Sequence, residues 1–241
     1  MMPDGTTPSF TTTKWSMVLH AGDSKDPGGQ EALEALCQRY WRPVYSYIRH
    51  RGYDKNATED LTQSFFAQLL ERRSLKAADP ERGRFRSFLL ASVRNFLSDS
   101  RDKERAQKRG GNRLFIPLDF SDTENLRHEP ADEITPEALF ERQWASSVLA
   151  EVFGKLRQEA IEGRALERFE RLEGFLTGEL EGTRQSEVAK ELGMSAKALR
   201  VAIHRLRKRF GRLLREQVAQ TVPDPEQVDD EIRFLLTALN L

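Results

Sequence analysis

Apolar residues recur along nearly the whole chain at intervals of three and four, and strand-like alternating runs are scarce, so the pattern predicts an all-α protein. The first series runs from about Gln30 to Arg51, with Leu33, Leu36, Tyr40, Val44, Tyr47 and Ile48 on one face. Pro43 lies inside it, removes a backbone hydrogen bond, and predicts a kink or a break. After a turn at Arg51-Gly52-Tyr53-Asp54, a second helix from Asn56 to Arg73 carries Leu61, Phe65, Phe66, Leu69 and Leu70, with acids near its start that suit the helix dipole. Consecutive helical residues diverge by about 100°, so one of Phe65 and Phe66 is expected to be spare for a partner; the alternative is that another helix of this chain covers it. A third series begins at Arg84 with Phe85, Phe88, Leu89, Val93, Phe96 and Leu97, and turns into pure charge at about Ser100.

Gly110-Gly111 closes this block, and Asn112 to Thr135, with Pro117, Pro130 and many acids, has no steady period and reads as an interdomain linker. A new series opens at Pro136, a good first-turn residue, with Phe140, Trp144, Val148, Val152 and Leu156 on one stripe. Gly163 separates it from another helix at about Arg164 to Thr177. Between Gln185 and Phe210 the layout is that of a helix-turn-helix. Val188, Ala189 and Leu192 share one side of a short helix, Gly193 permits a tight turn, and Ser195 caps a second helix whose inward face is Leu199, Ala202, Ile203, Leu206 and Phe210. Residues Pro225 to Leu241 hold Val228, Ile232, Leu235, Leu236 and Leu239 in helical register, an apolar face that must pack on this chain or on a partner. The resulting division is an extension at 1–29, a helical domain at 30–111, an acidic linker at 112–135, a second helical domain at 136–221 and an amphipathic extension at 222–241.

Charge changes this picture only when it is read locally. With 38 basic and 38 acidic residues in 241 the whole-chain balance is zero. Basic residues nevertheless collect at Arg101–Arg113 and Lys197–Arg215, acidic ones at Asp119–Glu137 and Asp224–Glu231, and a Debye length of about 8 to 10 Å lets a phosphate feel the patch and not the sum. Between Gly193 and Arg215 there is no acid at all, whereas a solvated helix face normally mixes signs. A helix with one buried stripe and one stripe of Lys, Arg and His fits the major groove, with Lys197, Arg200, Val201 and His204 as candidates for base edges. Arg205, Lys208, Arg209 and Arg212 would hold phosphates, adding affinity and salt dependence but little sequence choice.

The chain from Ala35 to Glu71, ALCQRYWRPVYSYIRHRGYDKNATEDLTQSFFAQLLE, followed by GRFRSFLLASVRNFLSDSRDKERAQKR, resembles region 2 of the extracytoplasmic-function (ECF) sigma factors of RNA polymerase. The helix-turn-helix beyond a linker resembles their region 4. Thr13-Lys14-Trp15-Ser16, the run Ala78 to Phe85, Ala106 to Gly111 and the tail Glu226 to Glu231 are similar to the Planctomycetes-type group of that family. The chain departs from the common form at Arg184 and Gln185, ahead of the helix-turn-helix, and at Lys197 and Val201 on the base-facing stripe.

The resemblance implies a transcription initiation factor that recruits core RNA polymerase to promoter DNA. It implies a polymerase-binding helix using Glu59, Asp60, Gln63, Phe66 and Leu69. It also implies a helix that opens the downstream promoter element, with Asn95, Ser98 and Asp99 nearest a flipped base and Arg101, Lys103, Arg105, Lys108 and Arg109 on the backbone. An anti-sigma factor or a regulatory kinase would be a further partner.

No catalytic grouping is legible: His20, His50, His128 and His204 are dispersed, and no phosphate-binding loop or dinucleotide motif is present, so no enzyme activity and no cofactor is expected. The lone Cys37 fits a reducing cytosol and excludes a cysteine-rich zinc site, so no metal is expected either. No apolar run approaches the roughly 20 residues that span a bilayer, and the start Met1-Met2-Pro3-Asp4-Gly5 lacks the pattern of a secretory signal, so a cytoplasmic protein without a membrane partner is expected. Two other readings stay open at this point: a polymerase-independent helix-turn-helix regulator that binds a palindrome as a dimer, and a helical interaction protein whose basic stripes are mere surface.

Overall fold

A computed structural model describes residues 29–71, 78, 83–106, 118, 120, 134–177, 184–222 and 224–240. All regular elements among them are helical, as the apolar spacing requires: α1 (Gly29–His50), α2 (Lys55–Glu71), α3 (Phe85–Ala106), α4 (Pro136–Glu162), α5 (Leu166–Leu172), α6 (Gly174–Thr177), α7 (Arg184–Glu191), α8 (Ala196–Val218), a single 3-10 turn (Pro225–Gln227) and α9 (Val228–Leu239). Two compact units result, one made of Met1–Ala145 with Ala219–Leu241 and the other of Ser146–Val218. The unit boundary falls inside α4, and the stretch expected as a C-terminal extension is counted with the first unit.

In the first unit α1 runs without interruption through Pro43, which is buried, so the expected break does not occur. Gly52, at φ +92°, makes the turn that brings α2 back along α1. Asp54 caps α2 by accepting a hydrogen bond from the Ala57 amide at 2.8 Å. The acid at the helix start is this cap itself, and Glu59 and Asp60 follow one turn in. Two buried hydroxyls on α2 are satisfied one turn back, Thr58 donating to the Asp54 carbonyl at 2.6 Å and Thr62 to the Thr58 carbonyl at 2.7 Å. Phe65 and Phe66 are both buried, so neither is spare for a partner. α2 is flanked in two directions, by α1 and, through a Phe65–Phe96 ring contact at 5.6 Å, by α3, and a helix held between neighbours can bury adjacent residues. Leu118 and Phe120, from the stretch expected to be a linker, lie on this core as well: Phe120 meets Trp41 at 5.2 Å and Tyr45 at 5.8 Å.

The last helix completes this unit through charge as well as oil. Val228, Leu235 and Ala238 of α9 are buried, and with them Glu231, which is 0% exposed. The inner face is thus turned from the expected one, since Leu236 faces outward. Glu231 pairs with Arg86 and, at 2.8 Å, with Arg84; Arg86 in turn meets Glu141 of α4 at 2.8 Å. The Arg86 guanidinium sits between two rings, 4.5 Å from the centre of Trp144 and 4.2 Å from that of Phe234. Burial pulls Arg86 below its ordinary pKa while Glu141 pushes it back up, and burial raises Glu141 while Arg86 opposes the rise. The charges therefore hold one another in place, and removing one partner leaves another buried and uncompensated.

The second unit closes around Leu172, Phe175, Val188, Ala189, Leu199, Ala202 and Ile203. Val148, Val152 and Leu156 of α4 are buried as their stripe predicts. α4 ends at Glu162, and Gly163 separates it from the next helix as the sequence suggests; the turn runs on through the left-handed Arg164, φ +52°, where the Ala165 amide returns to the Ala160 carbonyl at 2.8 Å. The helix expected over Arg164 to Thr177 is two pieces, α5 and α6. Gln217, buried on α8, accepts from the Lys155 ammonium at 2.8 Å and donates to Glu151, which fixes α8 to α4 within the unit.

Two outcomes follow. Glu231→Ala, or removal of residues 223–241, destabilises the first unit by about 3 to 5 kcal/mol, read from denaturant midpoints, because Arg86 loses its buried partner; a midpoint unchanged in both variants contradicts the packing described. Burial also pushes the Cys37 thiol up to about 12, with Glu34 adding to the rise, so thiol reagents modify it only after unfolding. Alkylation at neutral pH, followed by mass spectrometry with and without denaturant, checks this.

Candidate nucleic-acid interface

Two helix faces present the residues singled out by sequence, one in each unit. On α3 the inner stripe is Phe85, Leu89, Val93, Phe96 and Leu97, all buried. The opposite side carries Asn95, Ser98 and Asp99, spaced three and four residues apart and all exposed, so they line one face. Arg94 is exposed beside them and was not singled out; a helical wheel drawn on the buried stripe places it outside the core. Arg101, Lys103 and Arg105 fall on the last turns of α3, with side chains outside the described residues, and Lys108 and Arg109 lie outside the described residues altogether.

On α2, Asp60 is exposed while Glu59 and Gln63 are half-buried, with Glu59 in a loose pair with Lys55 at 3.9 Å. Phe66 and Leu69 are 1% and 7% exposed, so as folded they support this face from within and offer no surface to a partner.

In the second unit α7 is joined to α8 by a turn at Gly193, φ +61°, a conformation that glycine adopts at no steric cost. The Met194 amide returns to the Ala189 carbonyl at 2.8 Å, and Ser195 caps α8 by accepting from the Ala198 amide at 3.2 Å. Arg207 forks onto the Phe175 carbonyl at 3.0 and 3.2 Å, pinning α8 to α6. The inward residues are those the spacing predicts, with Leu199, Ala202 and Ile203 buried and Leu206 and Phe210 half-buried. Lys197, Arg200, Val201, His204, Arg205, Lys208 and Arg212 are all exposed. Arg209 is engaged: its guanidinium grips both carboxylate oxygens of Glu159, the Nε contact measuring 2.8 Å. A cationic face therefore exists on α8 with one of its eight candidates turned to a structural use. Pairs formed across helices separate in sequence by 50 residues leave no local signal to read.

Among the described residues there is no group of three or more His, Cys, Asp or Glu placed to hold a metal, and no helix long and apolar enough to cross a membrane. What remains exposed and organised is a polar face on α3 and a cationic face on α8. Residues 36–107 match the sigma-70 region 2 family. The similarity covers 72 of the 241 residues. The match takes in most of α1 and all of α2 and α3, and it supports a sigma-factor role in RNA polymerase binding and promoter recognition. No curated protein and no solved structure matches the chain.

The Arg209 side chain holds Glu159 below the usual carboxylate range. A depressed acid contributes stability that is present above its unfolded pKa and lost as pH falls through the folded one. Since Glu159 is largely exposed, the contribution is under about 1 kcal/mol. Urea titrations of wild type and Glu159→Gln should differ slightly at neutral pH and coincide below the carboxylate range; a difference that grows on acidification contradicts the pairing.

Proposed function

We propose that this chain is a sigma factor of the ECF type, in the cytoplasm, that recruits core RNA polymerase to promoters and helps melt the downstream element. The observation that carries the reading is the sigma-70 region 2 match over α1–α3, with Asn95, Ser98 and Asp99 exposed together on the outer face of α3. A base flipped from the non-template strand offers its hydrogen-bonding edge to the Asn95 amide, and unstacking it costs only a few kcal/mol, which contacts to phosphates offset. The basic residues from Arg101 to Arg109 supply those contacts. Glu59, Asp60 and Gln63 on α2 meet the polymerase, with Phe66 and Leu69 shaping that helix from behind.

The second unit works as a helix-turn-helix, α7 and α8, with α8 in the major groove of the upstream element. Lys197, Arg200, Val201 and His204 face base edges, while Arg205, Lys208 and Arg212 meet phosphates. Arg209 joins them only by leaving Glu159. Engaging two elements of one DNA multiplies modest affinities, because the second contact forms at the effective concentration that the first one sets. An anti-sigma factor or a kinase would act on this arrangement from outside.

Reconstitution with bacterial core polymerase tests it. The full chain is expected to confer promoter-specific initiation. Asn95→Ala should keep the closed complex but lose strand opening by at least about tenfold, and Arg200→Ala should weaken upstream recognition by roughly tenfold, the range of one to three kcal/mol for a base contact. Lys208→Ala should lower affinity for all sequences alike and reduce the salt slope by about one. A chain that fails to bind core polymerase, or a stable homodimer that footprints a palindrome without it, contradicts the proposal.

A further inference from the structure

We infer that Val201 reads a thymine in the upstream promoter element through the C5 methyl group of the base. The inference rests on the proposal that α8 enters the major groove there. Val201 is 44% exposed, and among the described residues only two other large hydrophobic side chains, Ile161 and Leu236, are exposed to a comparable degree. Its helical neighbours are Lys197 and Ala198 one turn before and His204 and Arg205 one turn after, all exposed. Val201 and Ala198 thus make a small apolar island inside a cationic face.

The fold gives no reason for that island. The core contacts of α8 come from Leu199, Ala202 and Ile203, on the other side of the helix. A β-branched residue on an exposed helix position is slightly worse for the helix than the Lys or Arg around it. Its methyl groups are free for something outside the chain.

The thymine methyl is the one apolar group that projects into the major groove; cytosine shows only a C5 hydrogen at that place, beside its amino donor, and the purine edges show donors or acceptors. Pressed against Val201, an adenine or cytosine amino group or a guanine carbonyl would lose its water without gaining a hydrogen bond. Val201 therefore favours thymine by what it covers and disfavours the other bases by what it cannot satisfy. The flanking cations hold the helix in the groove, so the small apolar contact is made at fixed depth.

The test removes the methyl and nothing else. The full chain is reconstituted with core polymerase, a promoter is enriched from duplexes randomised over the upstream element, and each thymine of that element is replaced singly by deoxyuridine. At one position, or at two adjacent ones, wild type should lose about fourfold in affinity, the size expected for one buried methyl group. Val201→Ala should bind the thymine promoter about as weakly as wild type binds the uracil one, and should be indifferent to the exchange. Arg205→Ala should weaken binding yet keep the uracil penalty. If specific binding is intact but no position is uracil-sensitive, or the penalty persists undiminished in Val201→Ala, the assignment of Val201 is overturned while the reading of α8 stands. If no upstream sequence is enriched at all, both fall.

Discussion

Four charged side chains, Arg86 and Glu231 buried and Arg84 and Glu141 half-buried beside them, decide how the first unit is assembled. Arg86 draws together three segments distant in sequence: its own, at the start of α3; Glu141 and Trp144 on α4; and Glu231 and Phe234 on α9. Apolar packing alone is indifferent to a one-turn slip of α9, because Val228, Leu235 and Ala238 would find other apolar neighbours. A fully buried carboxylate is not, since it must end beside Arg84 and Arg86 or remain unpaired in a low dielectric. The cluster thus fixes the register of the last helix and the start of α3. The polar face of α3 is presented by a helix anchored at its first turn.

The second unit uses the same logic on a smaller scale. Its core is modest, and polar ties supplement it: Gln217 bridging Glu151 and Lys155, Arg207 on the Phe175 carbonyl, Arg209 on Glu159. Each tie uses a side chain of α8 on its inner or lateral faces and leaves Lys197, Arg200, His204, Arg205, Lys208 and Arg212 exposed on the outer one. A long helix with its interior commitments met in this way can present Lys197 to Arg212 as a rigid surface, the condition under which the proposed binding to a duplex would lose little entropy.

What could be read from the sequence was whatever repeats locally. The stripe from Phe140 to Leu156, the inner face of α8, the Gly193 turn and the Ser195 cap all follow from spacing within one or two turns. Partners far apart along the chain were not legible. Arg86 looks like any surface arginine until Glu231, 145 residues away, closes on it. The same is true of Arg209, whose charge placed it among phosphate contacts while Glu159 had already claimed it. Phe66 misled for a related reason: a single-face argument holds for a helix with one neighbour, and α2 has two. The residues expected at Lys108 and Arg109 lie outside the described residues.

The central claim is that one polar helix face and one cationic helix face, in separate units, engage two parts of the same promoter once polymerase is bound. Site-specific photocrosslinking from positions 95 and 204 in a single reconstituted open complex tests it most directly. The account predicts that position 95 marks unpaired non-template DNA downstream, that position 204 marks duplex upstream, and that the downstream mark requires polymerase. Crosslinks from both positions to one duplex site, or a downstream mark that forms without polymerase, would contradict it.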